Sequence, residues 1–508
     1  MSNKKNKVSL NPIMTLMILI VVTIVLSGVL ALFGVGASYD TIKNSTYESN
    51  WVAVESLFNL RGIKYIFQST VSNFAAFTPL SMLIIILIGI GIMDKSGFLK
   101  TTFSLITRKC QKKTLTFVLA LICIILSIGG DLAYVVMIPL SALLFYYGRR
   151  NPLLGIVISF AALTCGTGLS FFKTSIDSSL DALTLESSRI LDSSYTFNYL
   201  GYFIIMVVAI LAIAALITYI SERFSVNELP KYEFKDDKKD FKLAKRDIRG
   251  LIFAGTFGII YLLIFIYNII PGLPLSGNLL DYSQKLYIDK LFNPDSFFSQ
   301  GFVFIVTILF VILGLFYGLG SRSIKNSNDF CDYLTHSLDG IGRTIILILL
   351  SSILVNVFKK SNIGTVITAL IGNLITNCKF TGIPLLVLFF LGTAVATFFL
   401  PNTVNKWTIL SASCVPTLMN VGFSAEFIQV IFRFAEGMTY GLTPIMAYFV
   451  IYLAYMEKYN TSDNPIGVFK ILNYQKKYAL ATGVILLIIL IIWYLVGLPI
   501  GIGVMPTI

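Results

Sequence analysis

Charge is scarce in this 508-residue chain: 13% of residues are Asp, Glu, Lys or Arg, against about 25% in a soluble domain. Histidine is almost missing. His336 is the only one, and it lies in a polar stretch, Asp332–Ser337, outside the apolar runs. A histidine-based proton relay or metal centre is therefore not expected, and His336 reads as a solvated surface residue. The six cysteines (Cys110, Cys123, Cys165, Cys331, Cys378 and Cys414) form no CxxC pair. They read as small hydrophobes in helices and give neither a disulfide framework nor a zinc site. No GxxxxGK[ST] loop is present, which argues against ATP-driven work by this chain alone. HExxH and a nucleophile–base pair are also missing, so an intramembrane enzyme is not expected. The surplus of 39 Lys and Arg over 26 Asp and Glu gives +13. These residues sit between apolar runs and form no nucleic-acid patch. What is abundant is apolar: 56% of residues are hydrophobic and the mean hydropathy is +0.82. That is the composition of a polytopic membrane protein in a lipid bilayer.

A spanning helix needs about 20 apolar residues. Clear spans occupy 12–36, 79–94, 199–221, 249–270, 301–319, 342–358 and 478–502. The first follows a basic start and is too long for the apolar core of a signal peptide. Regions 115–147 and 382–421 each hold two apolar arms around a polar tip, Gly129-Gly130-Asp131 in one and Leu400-Pro401-Asn402-Thr403 in the other. An arm of about 15 residues, rising ~1.5 Å per residue, reaches two-thirds of the way across a ~30 Å core. Both regions read as re-entrant hairpins, with two tight full spans each as the alternative. Two further apolar segments are interrupted, 153–185 at Gly166-Thr167-Gly168 and 424–456 at Glu436-Gly437. Unwound backbone at membrane depth is tolerated only beside protein or a cavity. The expectation is an all-α protein of nine transmembrane helices plus two re-entrant hairpins. Arg108, Lys109, Lys112, Lys113, Arg149, Arg150, the nine basic residues of 222–249, Arg322, Lys325, Lys470, Lys476 and Lys477 then share the cytoplasmic side, as positive-inside requires. Lys359 and Lys360 are an exception on the outer side. The N-terminus is expected in the cytoplasm, with the chain multi-pass in a bacterial-type cytoplasmic (inner) membrane.

The two hairpin regions look like copies. Residues 91–98 resemble 356–363, Val-Met-Ile-Pro139 resembles Ser-Cys-Val-Pro416, and Gly168 and Gly441 hold matching places in the interrupted segments. An odd number of crossings separates the copies, so they have opposite topology. Inverted repeats with discontinuous helices are the build of secondary transporters, with the site at the midplane. The chain divides into 1–78 (first span and outer loop), 79–221 (first repeat), 222–341 (cytoplasmic loop and linking spans), 342–456 (second repeat) and 457–508 (cytoplasmic loop and last span).

Gly129–Pro139, Gly148–Gly155, Asp177–Thr184, Asn405-Lys-Trp407 leading to Val-Pro416, and Arg433-Phe-Ala-Glu436 followed by Thr443-Pro444 together resemble the p-aminobenzoyl-glutamate transporter (AbgT) family. The likeness runs from about residue 79 to 502, in the family's order. It implies a homodimer within the wider ion-transporter superfamily. Members of the family are linked to folate-intermediate uptake and to sulfonamide export. The resemblance also singles out Asp177, which aligns with a family Asp implicated in transport. Three departures stand out: Thr397 where the family has Asn, Glu436 where it has Asp, and Ala425 where it has Pro. The first two touch positions connected with cation binding and bear on sodium dependence.

Candidate residues fall in three groups. The hairpin tips face the helix breaks, Gly129, Gly130 and Asp131 against Gly166, Thr167 and Gly168, and Asn402 and Thr403 against Gly437 and Thr439. Helix ends and unwound carbonyls there suit a coupling Na+ or H+, or else form tight turns with no ion. Asp177 and Asp181 lie one turn apart with Lys173, one turn before Asp177, as a pairing partner. Either they are buried and functional, or they are hydrated at the outer interface. Arg433 suits a bidentate fork on a substrate carboxylate, and Trp407 suits stacking on an aromatic ring. The alternatives are that Arg433 and Glu436 neutralise each other and that Trp407 only packs. The expected function is a secondary active transporter, cofactor-free, moving a small aromatic or carboxylate solute with an ion or proton gradient. A related carrier of a dicarboxylate or short-chain acid is the alternative, and a channel fits less well.

Overall fold

The computed structural model describes residues 10–43, 46–170, 174–198, 201–234, 242–293, 295–462 and 464–508. Helix α1 (Pro12–Leu32) leads into a ribbon of β1 (Gly36–Lys43) and β2 (Thr46–Ala53), then α2 (Leu60–Ala75) and α3 (Thr78–Lys95). Next come α4 (Phe98–Lys109), α5 (Lys112–Leu126), α6 (Asp131–Tyr147), α7 (Pro152–Cys165), α8 (Ser175–Ser188) and α9 (Phe203–Ile220). A linking stretch holds α10 (Val226–Glu228), α11 (Lys245–Ile269), α12 (Tyr287–Phe292), α13 (Phe297–Ser321) and α14 (Ser327–His336). Then follow α15 (Gly342–Lys360), α16 (Ile363–Asn377), α17 (Gly382–Phe399), α18 (Thr403–Met419), α19 (Ala425–Thr439), α20 (Phe449–Lys458) and α21 (Val468–Val496).

The stretches α3–α8 and α15–α20 pass through the same features. A single left-handed residue joins α3 to α4 (Gly97, φ 92°) and α15 to α16 (Asn362, φ 58°). Glycine and asparagine are the residues that adopt this conformation most readily. An interior proline sits in α6 (Pro139) and in α18 (Pro416). Polar caps start α7 and α19: Asn151 accepts from the Leu153 amide at 3.0 Å, and Ser424 accepts from that of Phe427 at 3.4 Å. Each stretch then breaks its last helix in two.

Nine helical stretches among the described residues are long and apolar enough to cross a membrane. Lys112–Gly129 and Gly382–Phe399, the first arms of the hairpin regions, qualify. The interrupted helices do not, because their halves are only 14, 14, 15 and 10 residues long.

The chain is mostly helical, with one ribbon in which β1 and β2 pair antiparallel from Gly36↔Ala53 to Lys43↔Thr46. Most of β2 is exposed, so the alternation that marks a half-buried strand is faint in the sequence. One expectation needs correction: the second break falls later than Glu436-Gly437. Helix α19 runs through both to Thr439, and the chain unwinds between Tyr440 and Tyr448, around Gly441 and Pro444. Gly437 serves packing instead: a Cβ there would stand 2.7 Å from the Cys165 carbonyl oxygen.

The broken helices form the centre. Every residue of α7 is buried, as are Ala425 to Gly437 of α19. Helix α7, apolar nearly all round, belongs in such a place, whereas α19 buries Glu426, Gln429, Arg433 and Glu436 there. The two cross at their broken ends, where Gly441 lies against Thr164 and Gly168 against the Arg433 carbonyl. Helix α11 lies outside with most of its apolar side chains exposed, and the half-buried α13 packs between it and α3. The ribbon packs on the second stretch. Ala37 and Val54 bury with Ile363, Val366, Ala369 and Ile409, Asn373 donates to the Ser38 carbonyl at 3.0 Å, and Lys360 pairs with Glu55 at 2.7 Å.

Candidate functional site

Four charged side chains meet in the core in a row of alternating sign. Asp177 Oδ1 lies 3.4 Å from an Arg433 terminal nitrogen. The other terminal nitrogen of Arg433 donates to Glu436 Oε2 at 2.9 Å, and Lys406 Nζ donates to Glu436 Oε1 at 2.8 Å. Lys406 and Glu436 are fully buried. Unpairing a buried charge costs about 3–5 kcal/mol, and in this row each charge has an opposite neighbour.

Local backbone sets each position. Asp177 is the third residue of α8 and closes a capping box with Thr174. Its Oδ2 accepts from the Thr174 amide at 3.0 Å and hydroxyl at 2.7 Å, leaving Oδ1 for Arg433. The expected partner Lys173 lies outside the described residues. Arg433 and Glu436 share a face of α19, three residues apart. Lys406 sits in the second turn of α18, which Asn402 caps by accepting from the Asn405 amide at 2.9 Å. From there its ammonium reaches back over the tip to within 3.5 Å of the Leu400 carbonyl. Thr403 completes the tip by donating to Glu436 Oε1 at 2.8 Å.

A second polar chain runs beside the charged row. Gln429 donates to Asp181 Oδ1 at 2.7 Å, the Thr184 hydroxyl lies 2.5 Å from Gln429 Oε1, and Trp407 Nε1 donates to Thr184 at 3.0 Å. Asp177, Asp181 and Thr184 fall at i, i+4 and i+7 on α8. Gln429, Arg433 and Glu436 repeat that spacing on α19, so each set lines one helix face. The faces meet in antiparallel register, 177 to 433 and 181 to 429. Between them a narrow crevice is lined by Gly168, Ser170, Asp177, Tyr202, Gln429 and Arg433. Arg433 Nε is buried and has no partner among the described residues.

The remaining expected site residues are distributed as follows. At the first tip, Ser127 donates to the Gly166 carbonyl at 3.2 Å and the Tyr134 hydroxyl lies 3.4 Å from that of Thr167. Gly129 and Gly130 face open space, and Asp131 starts α6 beside Tyr448. Gly168 (φ 88°) lies so close to Arg433 that a Cβ would stand 2.6 Å from its carbonyl oxygen. Thr397 returns its hydroxyl to the Thr393 carbonyl at 2.8 Å and is not part of the row. Trp407 is fully buried with its ring centroid 4.3 Å from that of Phe432, so in this conformation Phe432 takes the place expected for a substrate ring. Sequence reasoning missed Lys406, Gln429 and Tyr202. The available signals were a lysine within an apolar arm and the 429/433/436 spacing on an otherwise apolar helix.

The sequence pattern of the AbgT transporter family matches residues 4–508. The chain belongs to this family. It is a multi-pass membrane transporter and not an enzyme. It is 25% identical over 501 residues to the p-aminobenzoyl-glutamate transport protein of Escherichia coli (strain K12), covering 99% of this chain and 95% of that protein. The YdaH transporter of Alcanivorax borkumensis is 23% identical, with a TM-score of 0.48 over 97% of this chain and 100% of that one. MtrF of Neisseria gonorrhoeae, described as illuminating a class of antimetabolite efflux pumps, is 26% identical, with a TM-score of 0.47 over 98% of each.

Proposed function

We propose that this AbgT-family chain is a secondary active carrier of a small aromatic carboxylate of the p-aminobenzoyl-glutamate type, driven by a Na+ or proton gradient. The observation that carries it is Arg433: a buried guanidinium at the crevice, tied at both terminal nitrogens and with Nε–H unspent. A guanidinium presents five donors in a planar fork that matches a carboxylate. The similarity to the E. coli p-aminobenzoyl-glutamate transport protein supports the substrate class. In this reading α5–α6 and α17–α18 are re-entrant hairpins of an inverted repeat. Asp177 and Glu436 exchange Arg433 between themselves and substrate, and two copies form a homodimer in the inner membrane with the N-terminus in the cytoplasm. The basic segments 222–249 and 457–477 support that orientation. The test is uptake of labelled p-aminobenzoyl-glutamate into proteoliposomes under imposed sodium and proton gradients, in both directions, beside an analogue without carboxylates. Gradient-driven movement that requires the carboxylates is expected. Movement indifferent to both gradients, or equal movement of the analogue, overturns the reading.

A further inference from the structure

The second hairpin tip presents groups that typically surround a desolvated monovalent cation. It has a carboxylate (Glu436), a hydroxyl on that carboxylate (Thr403), and the Leu400 carbonyl at the end of α17, where the helix dipole is negative. An aromatic face (Phe432) lies alongside. That place is filled. The Lys406 ammonium lies 2.8 Å from Glu436 Oε1, 3.5 Å from the Leu400 oxygen and 5.4 Å from the centre of the Phe432 ring, with no part of the side chain exposed. We infer that Lys406 is a tethered resident cation whose ammonium occupies the alkali-ion position at this tip, so the tip binds no sodium.

The charges around Glu436 support this. Its carboxylate faces two cations, Arg433 and Lys406. Glu436 Oε1 already accepts from Lys406 and Thr403, and Oε2 from Arg433. A further monovalent cation would bring a third positive charge to a carboxylate that faces two, in a medium that screens poorly. Lysine suits the role, because its ammonium is a compact point charge on a flexible stem and resembles an alkali ion more than a guanidinium does. The stem also fixes the stoichiometry, since this cation moves only with α18. The inference deepens the proposed ion coupling by assigning this tip a cation that is not exchanged.

The test is the melting temperature of the purified full chain while sodium chloride replaces choline chloride at constant ionic strength. Wild type should show no saturable sodium-specific rise that depends on Glu436. Lys406→Met empties the position and leaves the carboxylate, so it should melt lower in choline and recover by several degrees as sodium is added. Lys406→Met combined with Glu436→Gln removes both charges and should lose that recovery. A sodium-specific rise in wild type that Glu436→Gln abolishes overturns the inference, because sodium then binds beside Lys406. A folded Lys406→Met protein indifferent to sodium also overturns it. If that single variant does not fold, methylammonium and sodium are added during its solubilisation. Recovery of folded protein with either cation supports the inference, and failure with both overturns it. None of these outcomes requires transport. A protein that moves no substrate yet shows this pattern refutes the carrier reading alone.

Discussion

Asp181 faces Gln429 at 2.7 Å one helical turn from where Asp177 faces Arg433, so α8 and α19 interlock through polar side chains along matched faces. The contact joins the two matching stretches of the chain. Any movement of one broken helix past the other must exchange these partners, and substitutions along the seam separate packing from function.

Asp177→Asn distinguishes the two oxygens of that carboxylate. The amide oxygen still accepts from Thr174, so the start of α8 is kept, while the charge facing Arg433 is removed. Transport is expected to fall at least about tenfold, equivalent to about 1.4 kcal/mol, with a melting temperature near that of wild type. Gradient-driven uptake and thermal unfolding on the same preparation check this. Wild-type uptake would remove Asp177 from the mechanism.

Arg433→Lys retains a charge for Glu436 but loses the planar fork. Substrate affinity should weaken about ten- to a hundredfold, or about 1.4–2.8 kcal/mol, while a carboxylate-free analogue binds as before. Arg433→Ala should also destabilise by about 3–5 kcal/mol. Unchanged affinity in the lysine variant, with a lowered melting temperature in the alanine variant, leaves Arg433 as a purely structural charge.

Trp407→Phe preserves an aromatic ring against Phe432 and deletes the hydrogen bond to Thr184. A loss of about 1 kcal/mol is expected. Trp407→Ala should lose about 3–5 kcal/mol by opening a cavity. Substrate affinity in the phenylalanine variant should stay close to wild type, and a drop greater than its stability change would place the indole in contact with substrate.

Gly437→Ala would set a methyl group 2.7 Å from the Cys165 carbonyl and force the helix crossing apart, at about 1–3 kcal/mol. Gly255→Ala on α11 meets nothing within 4 Å and should be neutral or slightly stabilising, since alanine exceeds glycine in helix propensity by about 1 kcal/mol. Thermal unfolding of the two variants side by side gives the comparison.

The helix–turn–helix regions were legible because Gly129-Gly130-Asp131 and Pro401-Asn402 interrupt long apolar runs, and such residues seldom occur mid-helix. The Arg433–Glu436 pair was legible from its three-residue spacing. The end of α19 was not, because Glu436 and Gly437 resemble a break until the tertiary role of each is seen, an ion pair for one and a close crossing for the other. Lys406 was hidden for a related reason. Its partner lies 30 residues away, and only the fold brings an isolated lysine of an apolar arm onto a glutamate of another helix.

The β1–β2 ribbon makes the two matching stretches unequal. It clamps α16 and the body of α18 through Asn373, Ile363 and Ile409, while among the described residues it makes no comparable contact with α4 or α6. If the two stretches exchanged conformations, the ribbon would remain with one of them. The two extremes of such a cycle are therefore not mirror images in energy, and a protein at rest without substrate should favour one face of the membrane over the other.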